Sequence, residues 1–139
     1  MKKSLIVICI FLIISCNYRT PSRIRFSKIC DIKIPKDIKV IRDEYQDMWQ
    51  DFAIIYEIKL SPKNCNELTR SIRESKYYNS ETFVYDNIHK DMYIEVNGMR
   101  AVWARTQTGY VFLNDWNRDV YSVEIDTINL IAKFNESHD

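Results

Sequence analysis

Residues 52–72 read FAIIYEIKLSPKNCNELTRSI, and the hydrophobic period changes in the middle of the run. Phe52, Ile54, Tyr56, Ile58 and Leu60 alternate with Ala53, Ile55, Glu57 and Lys59. That period of two predicts a strand buried mainly on one face. Ser61-Pro62 then opens a helix, because serine caps free amides and proline suits the first helical position. Leu60 and Cys65 stand at the staple positions on either side of that cap. Cys65, Leu68 and Ile72 form one apolar stripe, and the helix is expected to end near Tyr77.

Working outward, Ile38 to Ile41 reads as a short strand before this unit. After it, Met92, Ile94 and Val96 alternate with Tyr93 and Glu95 up to Asn97-Gly98. That dipeptide is a strong hairpin signal, since a type I′ turn needs positive φ at both central residues. Met99, Ala101 and Trp103 run back along one face, which assigns Trp103 to the core. Thr108-Gly109 predicts a second turn, and Asn114 to Asn117 a third connection. Val120 to Ile125 is read as the last strand. Asp126 is expected to cap a closing helix that turns Ile128, Ile131 and Ala132 inward. These elements predict an α+β fold: two layers, with a mostly antiparallel sheet of about five to six strands and two helices on one face.

The whole chain has 139 residues, 46% of them hydrophobic and 13% aromatic, which fits one domain and is too apolar for a disordered chain. Only two glycines occur, which argues against a glycine-rich phosphate loop. The 20 basic and 19 acidic residues balance to +1, which argues against a general nucleic-acid binder.

The first residues carry an address. Lys2 and Lys3 precede an unbroken apolar run from Leu5 to Ile14. That run is shorter than the roughly 20 residues a membrane-spanning helix needs, and it has the size of a signal-peptide core. Ile13-Ile14-Ser15-Cys16 resembles the lipobox of bacterial lipoproteins. The resemblance implies a diacylglyceryl thioether on Cys16, cleavage just before it, and palmitate-type acylation of the new amino terminus. It also implies a place in the bacterial cell envelope, anchored to the outer membrane or to the periplasmic face of the inner membrane. Residues 1–15 are then a removed signal, 16–26 a lipidated tether, and 27–139 a single globular domain.

Charge is unevenly spread along the mature chain. Residues 17 to 42 hold Arg19, Arg23, Arg25, Lys28, Lys33, Lys36, Lys39 and Arg42 against Asp31 and Asp37, a net +6. Residues 43 to 139 hold ten basic and seventeen acidic residues, a net −7. The basic part can contact anionic headgroups beside the anchor, or it can simply keep a tether hydrated.

Cys9 leaves with the signal and Cys16 takes the lipid, so Cys30 and Cys65 remain in a compartment that permits disulfides. The expectation is a bond between them, worth about 3–4 kcal/mol by loop entropy; the alternative is two buried thiols. Two thiols with no nearby histidine are too few ligands for structural zinc.

Catalytic signals are sparse. His89 lies in a loop-like stretch and His138 one residue from the end, where side chains hold a reacting geometry poorly. No nucleophile elbow, zinc-protease helix or phosphate-binding loop occurs. No enzyme activity and no cofactor are expected. Trp49 and Trp116 stand in polar, turn-like stretches and resemble interface anchors. The leading expectation is a non-enzymatic, lipid-anchored envelope protein that binds a protein partner. An immunity-type role is one version, since an acidic compact protein can mask a basic one. A second reading is a small glycan- or ligand-binding module that stacks its ligand on Trp49 or Trp116. A third is an envelope hydrolase whose site has no familiar motif.

Overall fold

The computed structural model describes residues 19–83, 90–115 and 118–138, apart from the side chains of Met48 and Lys90. The strand-to-helix junction forms where its sequence predicts. Ser61 Oγ accepts the Asn64 amide at 3.1 Å, and Pro62 occupies the first helical turn. The helix runs Pro62–Glu74 (α2) and buries Cys65, Leu68 and Ile72. It stops at Glu74, three residues short of Tyr77, and is capped by Ser75, whose amide bonds to Ile72 O.

A second helix, Ser22–Ile29 (α1), precedes the strands. The strands are Lys39–Met48 (β1), Asp51–Lys59 (β2), Tyr78–Phe83 (β3), Ile94–Val96 (β4), Met99–Arg105 (β5), Gly109–Asn114 (β6), Asp119–Asp126 (β7) and Ile131–His138 (β8). They form one open sheet in the order β1-β2-β8-β7-β6-β5-β3, with β4 also pairing β5. Every pairing is antiparallel except β3 with β5. Among the described residues the fold is therefore α+β, with two helices and a mostly antiparallel sheet. The Asn97-Gly98 turn has φ of 52° and 81°, as its type I′ signature requires.

Register builds the core in rows. Tyr56, Phe134, Val123, Phe112 and Trp103 are direct partners across five strands, and all five are buried. Phe26 of α1 is fully buried against this row, with ring centroids 5.3 Å from Phe134 and 6.3 Å from Tyr56. Burying such a side chain contributes about 1.5–3 kcal/mol. Trp103 is a core residue, as its spacing predicts, and its indole N–H donates to Cys30 O at 2.8 Å.

Four expectations need correction. Residues 22 to 26 belong to α1 rather than to a tether, and Phe26 and Ser22 are buried. The helix is short, with three basic residues in eight, and its core contact is mainly one ring, so it shows no apolar stripe. The closing helix after Asp126 is instead strand β8. Asp126 Oδ1 accepts the Ile128 and Asn129 amides at 2.9 and 2.8 Å and closes a turn between two strands. A helix cap and this turn use the same local chemistry. What decides is the period of two at Ala132, Phe134 and Glu136, all buried. Among the described residues the sheet has eight strands instead of five to six, since β3 and β8 are added.

The fourth concerns the expected disulfide. Cys30 and Cys65 are free, buried thiols. The carbonyl of Cys30 lies 3.4 Å from Ser75 Oγ, at the end of α2, while Cys65 sits in its first turn. Ten residues of helix span about 15 Å, whereas a disulfide needs Cα atoms within about 7 Å. Burial pushes the Cys30 thiol well above its ordinary range and also raises Cys65.

Candidate functional site

β1 and β2 form a long hairpin at the edge of the sheet, in register from Lys39↔Lys59 to Met48↔Asp51 with an irregularity between Val40 and Arg42. The outer strand is exposed from Lys39 to Asp47, including Val40, Ile41 and Tyr45. Trp49 and Gln50 make the turn. Trp49 is 100% exposed and has φ of 70°. Positive φ at the first of two central residues is the pattern of a type II′ turn, a place glycine normally fills. A bulky side chain there carries roughly 1–2 kcal/mol of strain. Strain of this kind collects at functional positions.

The tip is acidic. Asp47 and Asp51 flank the turn, and Asp43 and Glu44 lie farther down β1, opposite Tyr56 and Ile55. Arg42 bonds Glu44 at 2.6 Å, which holds that exposed carboxyl below its usual range, first through the hydrogen bond and then through the guanidinium charge. Asp43 accepts from Ser22 Oγ at 2.6 Å and from Arg19 at 3.3 Å. The hairpin is thereby tied to the first turn of α1.

Beneath the tip lies an aromatic ladder. Tyr45 stacks on Phe52 at 5.8 Å, and Phe52 stacks on His138 at 5.5 Å with planes 9° apart. Arg19 lies over Tyr45 at 5.0 Å and Arg25 over Phe52 at 5.8 Å. Arg25 grips Glu136 with two donors, Nε to Oε2 at 2.5 Å and Nη2 to Oε1. The Glu136 side chain has no exposed surface, and that of Arg25 keeps 31%. Next to this pair, burial first and then the Glu136 and Asp119 charges push Tyr121 up to about 12.

His138 is held in the β8 ladder, its Nδ1 2.5 Å from Asp119 Oδ1, rather than loose at a terminus. No serine, threonine or cysteine is bonded to it among the described residues, so the pair lacks an attached nucleophile. Among the described residues no group of three His, Cys, Asp or Glu is placed to hold a metal ion.

No family model, curated protein or solved structure matches this chain. The site therefore rests on its own geometry. Of the residues singled out by sequence, Trp49 stands at the hairpin tip, whereas Cys30 and Cys65 sit in the core away from it. Cys16, His89 and Trp116 lie outside the described residues. Sequence reading missed the Tyr45–Phe52–His138 ladder and the Arg25–Glu136 pair. The one signal for the ladder was Phe52 at the start of an alternating strand, with its partner 86 positions away.

Proposed function

We propose that this is a lipid-anchored protein of the bacterial cell envelope, non-enzymatic, whose acidic β1–β2 hairpin binds a protein partner bearing a basic surface with an apolar pocket. The observation that carries this reading is Trp49. Its indole is wholly in water, at a strained backbone position, in a turn flanked by Asp47 and Asp51. An isolated Trp is a strong interface anchor when a partner desolvates it, and the surrounding acids steer a basic partner toward it. An immunity-type role, masking a basic toxin, is the concrete version. The glycan-binding reading loses ground because one exposed indole on a narrow tip offers a sugar little second wall.

Two measurements test the proposal. In the first, a clickable palmitate analogue should label the wild type in cells and leave Cys16→Ala unlabelled; equal labelling of both removes the anchor. In the second, Trp49→Gly should relieve the left-handed strain and raise stability by up to about 1 kcal/mol. The same variant should weaken capture of the basic envelope partner at least tenfold. Loss of stability together with undiminished capture rejects the hairpin as the binding surface.

A further inference from the structure

We propose that a second site, a cleft at the end of the sheet away from Trp49, binds a phosphate monoester. The register places it there. Phe52, His138 and Asp119 mark the hairpin end of the sheet, whereas Lys59, Ile131, Asp126 and Gly109 mark the other. At that other end a cleft of about 570 Å³ opens between α2, along its length from Pro62 to Arg73, and the β5–β6 turn.

Its charge is unlike that of the domain around it. Arg73 and Arg105 line it, and no Asp or Glu does so among the described residues. Neither guanidinium meets a carboxylate among those residues. Residues 43 to 139 are net −7, so an unpaired arginine couple here is a local reversal of sign.

Both cations are organised around one ring. Arg73 Nε donates to Tyr110 Oη at 2.9 Å, with the guanidinium 5.9 Å from the ring centroid. Arg105 is the direct cross-strand partner of Tyr110, which brings the two Cβ atoms within about 4.5–5.5 Å. Its Nη2 donates to Ser80 O at 3.1 Å, and its carbon lies 6.0 Å from the Phe83 centroid. A guanidinium has five donors, so each arginine retains a free planar edge after these bonds.

The remaining wall is polar and braced. Thr106 and Gly109 close the β5–β6 turn with two bonds of 2.9 Å. Thr127 ties its amide and its hydroxyl to Thr108 O, at 2.8 and 2.7 Å. Gly109 permits this approach, since a Cβ there would lie 1.9 Å from Ile125 O.

A phosphate monoester carries about −1.5 to −2 charges near pH 7 and three acceptor oxygens. Two arginine forks match that charge and geometry better than they match a single carboxylate. Threonine and glutamine side chains suit a hydroxylated body attached to the phosphate. The monoester can arrive on a soluble sugar or on a lipid, and the chemistry of the cleft is the same for both.

Full-length protein in detergent is titrated calorimetrically at low ionic strength with glucose 6-phosphate, with short-chain phosphatidic acid and with glucose. One or both monoesters should saturate a single site, and glucose should not. Which monoester binds more tightly identifies the source. Arg73→Gln and Arg105→Gln should each weaken binding at least tenfold with unchanged melting, both residues being exposed. Lys133→Gln, the same charge change on the opposite face of the sheet, should alter it less than twofold. The proposal is overturned if neither monoester saturates, if glucose binds as tightly, or if Lys133→Gln weakens binding as much as the arginine variants.

Discussion

A chain that begins at residue 27 should show no cooperative unfolding transition, whereas one that begins at residue 17 should melt as a single unit. The shorter chain lacks Phe26, whose ring fills the space over Tyr56 and Phe134. Emptying a site of that size costs about 3–5 kcal/mol. It also lacks Arg25, which leaves Glu136 in the interior without its cation. Breaking a buried ion pair by removing one partner costs about 3–5 kcal/mol. Against a typical total stability of about 5–15 kcal/mol, the two losses together leave little or nothing. Circular dichroism melts of the two chains check this. A sharp transition in the shorter chain would return α1 to the status of a tether.

The second large effect isolates the ion pair and is asymmetric. Arg25→Met should destabilise by about 3–5 kcal/mol, because the carboxylate it strands has no exposed surface. Glu136→Gln should cost less, since Arg25 keeps 31% exposure and can turn toward water. The double variant Arg25→Met/Glu136→Leu removes both charges and should recover most of the loss, because a well-packed apolar pair avoids the desolvation of two ions. Urea denaturation midpoints for the three variants form a double-mutant cycle. A double variant no more stable than Arg25→Met would mean that packing, rather than charge, dominates at this position.

The parts of the fold that were legible in the sequence are those with local causes. The β2–α2 unit announces itself through its change of period at Ser61-Pro62. The Asn97-Gly98 turn needs only two residues, and Trp103 falls on an alternating face. The parts that were not legible depend on distant partners. β3 lies parallel to β5, so no hairpin turn marks their pairing. α1 is held mainly by Phe26, whose neighbours lie 30 and 108 positions away. Asp126 offers its carboxylate to nearby amides in a helix cap and in a strand-linking turn alike, so the residue alone could not decide between them.

The candidate sites divide in the same way. Trp49 was readable from its polar flanks, although its positive φ was not. The ladder of Tyr45, Phe52 and His138 exists only because β8 inserts beside β2. Arg73, Arg105 and Tyr110 meet only because α2 lies across the β5–β6 turn.

The place of β8 governs when the molecule can assemble. It is made after every other described strand, yet it lies between β2 and β7 and joins the two parts of the sheet. Until β8 emerges, the hairpin and the later meander have no common neighbour. Closure of the sheet therefore waits for β8, and every strand made before it stays in two unjoined groups until it pairs.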